Sequence, residues 1–263
     1  MTWTWTLTDL EFLVLWEETG NDTLPLPLTF ATDLRDRTQF DRVKFDTREQ
    51  LNAVRNSGVD MMLSVLTHPD IHISVHAHDG TDPELASGSI RIYAARCGEH
   101  GYIVRQLPGK TIWHSGGFVV TGCQALELAG AVVRELPEET AGRYSNIPLH
   151  QYDSLSSAEM DPYSMSDLVV ESGEEDSALV EYLRSSPAQR VGRIVISQGS
   201  SRFGPRGITR GRLGWRDLID DGRYTVTRTS PAAAYGTDAN RLINMINTEI
   251  ATVVRAIKDE RED

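Results

Sequence analysis

Residues 193–226 read RIVISQGSSRFGPRGITRGRLGWRDLIDDGRYTV. RIVIS (193–197) has the alternation and β-branched content of a strand, GRLGWRDLI (211–219) reads as a second, and RYTVTRT (223–229) as a third. Asp221-Gly222, between the last two, is the strongest hairpin signal in the chain. Between the first two, Gly199 and Gly204 have the spacing of a phosphate-binding loop. Pro205 and Arg206 stand where that loop needs Lys and a hydroxyl, and proline has no N–H to offer a phosphate. No helix comes next to place its positive end behind an anion. The stretch therefore reads as a mobile loop between strands, and no nucleotide is expected. Strands that succeed one another directly, rather than alternating with helices, argue an α+β fold.

The same pattern occurs upstream. IHISVHAHD (71–79) alternates with Ile71, Ile73, Val75 and Ala77 on one face. DGTDPELASG (79–88) is a loop by its Gly, Asp and Pro content, and SIRIYAARC (89–97), YIVRQL (102–107) and FVVTG (118–122) continue as strands. At the N-terminus Trp3, Trp5 and Leu7 alternate with threonines as a short strand. Thr8-x-x-Glu11 then fits a capping box ahead of the buried helix at 12–16, which Gly20 stops. Pro25 and Pro27 confine LPLPLTF (24–30) to an edge strand or a connector.

Further helices are expected at 47–66, with Leu51, Val54, Met62 and Val65 on one face and Gly58 as a weak point, then at 123–136 and 177–186. A last helix begins near Asp238 and carries Ile243, Ile246, Ile250, Val254 and Ile257 on one stripe. Residues 137–175 are polar and weakly periodic, with Ser156-x-x-Glu159 as a second capping box. Each half thus holds antiparallel strands closed by an amphipathic helix. We expect a single domain over 1–263 made of two related halves, near 1–136 and 137–263.

Composition narrows the function. The chain has 263 residues, 40% hydrophobic and 24% charged, with a net charge of −12. That charge repels nucleic acid and anionic membrane surfaces unless a local basic patch intervenes. No apolar run approaches the ~20 residues that span a bilayer. The N-terminus lacks a basic n-region, the first positive charge being Arg35, so no secretory signal is expected and a cytoplasmic location is. Cys97 and Cys123 lack metal-motif spacing, and no disulfide framework is implied.

The residues suggest three candidate chemistries. His72, His76 and His78 share a strand face, where residues two apart are ~6.6 Å apart and residues four apart ~13 Å. His76 and His78 could be two ligands of a metal-dependent enzyme, with two more still to be found; the plainer reading is a solvated face. No G-x-S-x-G elbow or cysteine-nucleophile context occurs. Arg190, Arg193, Arg202, Arg206, Arg210, Arg212 and Arg216 form a basic stretch, with only Phe203 and Trp215 as stacking platforms. Its plainer role is to balance the acidic runs at 135–139 and 171–176. No cofactor is expected.

WTLTDLEFLVLWEETGNDTLPLPL (5–28) resembles the EspG family, the cytosolic chaperones of actinobacterial type VII (ESX) secretion systems. So does the C-terminal series RIVIS, then GRLGWRDLIDDGRYTV, then a final amphipathic helix. The resemblance implies a quasi-two-fold fold, a central and mostly antiparallel sheet flanked by helical bundles. It also implies a non-catalytic role, in which the chain grips the apolar tip of a PPE protein within a PE–PPE heterodimer, keeps it soluble and marks it for its ESX machinery. Contacts in such proteins come from the loop of the first main-sheet hairpin, from the sheet surface and from the C-terminal helical bundle. On this chain that loop is 79–88, with Leu85 as the apolar candidate and Asp82 and Glu84 as polar ones. A standard interface of ~1,600 Å² would shield an apolar tip that otherwise invites aggregation. Tyr163-x-x-x-Asp167 matches the export signal of ESX substrates, yet none of the five tryptophans begins W-x-G, and a strand-rich chain is not a helical hairpin. Being cargo itself is therefore not expected. Exposed strand edges leave homodimer formation open.

Overall fold

Thr8 starts the first helix through its own side chain. The computed structural model describes residues 3–149, 177–227 and 232–262. In it β1 (Thr4–Leu7) runs into α1 (Asp9–Glu17). Thr8 Oγ1 accepts the Glu11 N–H at 3.2 Å, and the Glu11 carboxylate accepts the Thr8 N–H at 2.7 Å. Residues 24–30 form a connector and not an edge strand. The helix expected at 47–66 is two helices, α2 (Arg37–Val54) and α3 (Ser57–Thr67). The reason is Asn56, which is extended and caps α3: its side-chain oxygen accepts the N–H of Gly58 at 2.9 Å and of Val59 at 3.2 Å. Gly58, the expected weak point, instead lies in the first turn of α3.

The strands continue as β2 (Ile71–Asp79), β3 (Ile90–Cys97), β4 (His100–Pro108) and β5 (Ser115–Gln124), then α4 (Leu128–Arg134). A 3₁₀ turn, Ala125–Glu127, replaces the start of the helix expected at 123–136. The second half is β6 (Ile147–Pro148), α5 (Ser177–Ser185), β7 (Ala188–Gln198), β8 (Arg210–Leu218), β9 (Gly222–Thr227), β10 (Ala233–Gly236) and α6 (Ala239–Glu262). The second capping box at 156–159, the Tyr163–Asp167 signal and the last two residues of RYTVTRT lie outside the described residues.

Ten strands make one sheet in the order β1-β5-β4-β3-β2-β7-β8-β9-β10-β6, and the named strands all pair antiparallel. The expected pseudo-two-fold passes between β2 and β7, where Ile71 faces Gln198, Val75 faces Ile194 and Asp79 faces Arg190. It relates β2-β3-β4-β5-β1 to β7-β8-β9-β10-β6, and α4 to α6. The match extends to single hydrogen bonds. Gly80 N–H donates to Gln189 O at 3.0 Å where Gly199 N–H donates to Asp70 O at 2.9 Å. A Cβ at Gly80 would overlap the Ala188 carbonyl oxygen, and one at Gly199 that of Pro69. Edge strands β1 and β6 are four and two residues long, and Pro148 blunts the second, so the edges offer little backbone for pairing chains.

Period-two patterning sorts the core onto two faces. Ile71, Ile73, Val75 and Ala77 join Ile194, Ile196, Leu213 and Trp215 beneath α4 and α6. The innermost α6 residues are Leu242, Ile246, Ile250 and Val253; Ile243, Val254 and Ile257 of the expected stripe flank them. On the other face, α1 and α3 cover Tyr93, Val104, Phe118 and Val120, and α5 covers Val191, Leu218, Tyr224 and Val226. The β8–β9 hairpin forms, but around a three-residue loop, 219–221, between paired Leu218 and Gly222 and not a two-residue Asp221-Gly222 turn; positive φ falls at Asp220 (62°) and Gly222 (141°), not at Asp221. Asp221 is turned inward instead, accepting from the hydroxyls of Tyr182 and Tyr224 at 2.7 Å each and from Arg143 N–H at 2.8 Å. Burial opposes its charge, yet these donors hold its carboxyl below the ordinary range.

Candidate partner-binding site

The β2–β3 loop is built by its own aspartates. Asp79 accepts from Thr81 Oγ1 at 2.6 Å, Thr81 N–H at 2.8 Å and Asp82 N–H at 3.0 Å. The Thr81 hydroxyl, then the two backbone donors, lower its pKa to about 2. Asp82 in turn accepts the Glu84 N–H at 3.2 Å, and its carbonyl accepts the Leu85 N–H at 3.0 Å before the 3₁₀ turn Ala86–Gly88. Asp82 and Glu84 are exposed, and Leu85 presents 42% of its surface to solvent. The three residues expected from the sequence thus stand together on one short, internally bonded loop.

Two apolar neighbours are not legible in the sequence. Arg91, buried on β3, donates to Pro27 O at 2.7 Å and to Ile112 O at 3.1 Å. Buried Gln106 holds the same connector through Thr29, donating to its Oγ1 at 2.9 Å and accepting its N–H at 2.8 Å. Ser74 Oγ donates to Leu26 O at 2.9 Å. These bonds fix the connector and the β4–β5 loop beside the β2–β3 loop, whose Ala86 and Ser89 line one small hollow with Gly109 and Ile112. The residues next to the two carbonyls that Arg91 holds are Leu26 and Trp113, exposed by 53% and 61%. Exposed apolar side chains rimmed by carboxylates and held by a buried polar frame are what a protein-docking surface needs.

Between α3 and α5 on that face runs a strip of β2 and β7 bearing His72, Ser74, His76 and His78 opposite Ser197, Val195, Arg193 and Val191. In place of the expected solvated face, the histidines are half-buried. Burial, with Arg210 adding repulsion, lowers the pKa of His72 to about 4. Burial, then Arg91, His78 and Arg193, lowers that of His76 to about 3. Both are neutral at pH 7. His78 Nδ1–H donates to Asp79 O at 2.7 Å. Among the described residues no three His, Cys, Asp or Glu side chains come together around a metal position. Guanidinium groups beside His76 would also repel a cation.

The β7–β8 loop expected to be mobile is pinned: Glu260 of α6 accepts from Gln198 Nε2 at 3.1 Å, Ser201 Oγ at 2.9 Å and Arg202 N–H at 3.2 Å. The loop ends in the 3₁₀ turn Pro205–Gly207 and then β8, with no helix at its exit. A hollow of about 840 Å³, lined by Trp3, Asp70, Arg96, His100 and Cys123 among others, lies at the same end of the sheet. Burial pushes the Cys123 thiol up to about 11 and raises that of Cys97, the reverse of an activated nucleophile. No helix among the described residues is long and apolar enough to cross a membrane.

A family model described as the EspG family matches residues 8–247. No curated protein matches. Among solved structures, the Mycobacterium tuberculosis type VII secretion system chaperone EspG5, in complex with a PE25–PPE41 dimer, shares the fold with a TM-score of 0.54. The two are 12% identical, and the match covers 95% of this chain and 96% of that one.

Proposed function

The chain belongs to the EspG family, and on that premise we propose that it is a type VII secretion chaperone that binds the tip of a PPE protein in a PE–PPE heterodimer. It acts without catalysis in the cytoplasm, keeps the tip soluble and delivers the pair to its ESX export system. The observation that carries this reading is the β2–β3 loop, where Leu85 stands out beside Asp82 and Glu84, with Leu26 and Trp113 held nearby by Arg91. A few apolar anchors inside a polar rim suit an apolar helical tip. The half-buried strip of β2 and β7 supplies a sheet surface next to the loop. α6 begins at this same end of the sheet, since β10 ends opposite Tyr224, which pairs with Arg216, itself opposite Val191 beside His78. The start of the C-terminal helix, though packed on the other face, is thus at the same end of the sheet as the loop, which supports contacts there.

Co-expression with a PE–PPE pair from the same genome, followed by size exclusion, tests the reading. A ternary peak is expected, and Leu85→Asp should weaken it by about 2 kcal/mol, roughly thirtyfold in Kd. If the three never co-elute and the pair is equally soluble without this chain, the reading is wrong.

A further inference from the structure

We propose that the β7–β8 loop is a second docking site, at the opposite end of the sheet from Leu85, for an acidic polypeptide segment carrying an apolar side chain. This goes beyond the cargo reading and does not rest on it. The chain holds 38 Asp and Glu against 26 Lys and Arg. In such a chain exposed guanidiniums should find carboxylates readily. Elsewhere guanidiniums of the second half do have partners: Arg190 of the basic stretch shares Asp217 with Arg223, and Arg216 donates to the carbonyls of Arg184 and Ser186. Arg202, Arg206, Arg210 and Arg212 are all exposed and none forms an ion pair among the described residues, Arg210 donating only weakly to the Ile208 carbonyl at 3.4 Å. None of the four pairs with the acidic run at 135–139, whose Glu135 is paired with Arg105 at 2.8 Å; the second acidic run, 171–176, lies outside the described residues.

The apolar partner of these charges is Phe203, 62% exposed at the loop tip with the Arg202 guanidinium 4.7 Å from its ring centre. Rigidity comes from α6. The Glu260 carboxylate takes three hydrogen bonds from the base of the loop, and Ser201 Oγ accepts the Phe203 N–H at 3.1 Å. A loop already fixed loses little entropy on binding. The Glu260 carboxylate, engaged by these three donors, also attracts the Arg202 charge without forming an ion pair with it, so Arg206 is the loop guanidinium furthest from a carboxylate's influence.

The pseudo-two-fold sharpens the assignment. The hydrogen bond from Gly204 N–H to Ser201 O repeats that from Leu85 to Asp82, both at 3.0 Å, so Ser201 occupies the place of Asp82 and Phe203 that of Glu84. One backbone shape carries opposite charge at its two ends, and the two ends therefore select different ligands. Guanidinium forks match carboxylates in a bidentate way. A nucleic acid would face the chain's net −12 charge and would need several aromatic platforms where only Phe203 stands exposed.

The test is fluorescence anisotropy with a fluorescein-labelled Glu-Asp-Leu-Glu-Phe-Asp-Glu peptide, its Lys-for-acid counterpart and a thymidine oligonucleotide. The acidic peptide should bind, lose affinity with added salt, and bind at least about tenfold more weakly to the Arg202→Glu, Arg206→Glu double variant. The Leu85→Asp variant should bind it as the parent does. No binding of the acidic peptide, equal binding by the double variant, loss in Leu85→Asp, or tighter binding of the Lys peptide or the oligonucleotide would each overturn the proposal.

Discussion

His76 shows how far a residue's neighbours change its meaning. Alternation places it on a strand face, and period two cannot say that the face is flanked by helices α3 and α5, with Arg91 and Arg193 close by. Its pKa of about 3, and that of His72 of about 4, lie below the unfolded value of 6.5. The unfolded chain thus binds protons that the native one does not, so stability is fully present above pH 6.5 and falls as pH drops below it. Between about pH 7 and pH 5 each histidine should cost on the order of 1–2 kcal/mol, measurable as a falling denaturant midpoint. Asp79 and Asp221 contribute only as pH nears the carboxylate range, with an ordinary value of 3.8, while Glu249, whose carboxyl burial raises, works against the histidine slope, so the His76 variant is what assigns it. Replacing His76 with Gln should flatten that slope; an unchanged slope would mean the ring charges freely. Leu85, Asp82 and Glu84 are legible in the sequence because loop chemistry is local. Leu26 and Trp113 are not, since the guanidinium that holds their neighbours lies 64 residues from Pro27 and 21 from Ile112.

At the scale of elements, hydrophobic periodicity locates α1, α6 and the central strands correctly, because each buries a face that the pattern marks. It fails where burial is slight. α2 begins ten residues earlier than expected because Asp36, accepting the Thr38 N–H at 2.8 Å, caps a mostly polar stretch. β6 and β10 are too short to show alternation. The break between α2 and α3 rests on one side chain, and Asn56→Ala should destabilise the protein by about 1 kcal/mol in chemical denaturation. No loss of stability there would show that packing of α3, and not the cap, fixes its start. The strand after Gly207 suffices to tell the β7–β8 loop from a phosphate-binding loop. Its order is hidden from the sequence, because Glu260 is 59 residues from Ser201.

In the whole molecule the two halves share a core. The cluster under α4 and α6 takes Ile71, Ile92 and Leu128 from the first half and Ile194, Trp215 and Ile246 from the second. A fragment of residues 1–136 would expose the β2 edge and half of that cluster, and should neither melt cooperatively nor stay monomeric. A sharp thermal transition from the isolated fragment would refute that view of the fold. The antiparallel pairing of β2 with β7 has one more effect. It sends their hairpin loops off in opposite directions, with nine paired positions between them at ~3.3 Å each, or about 30 Å. Electrostatic influence in physiological salt decays over ~8 Å, and a close-packed sheet deforms little. Occupancy of one end should leave the isotherm at the other unmoved, with a coupling free energy near zero in both directions. The molecule would then act as a passive spacer, holding two ligands at a fixed separation without either sensing the other.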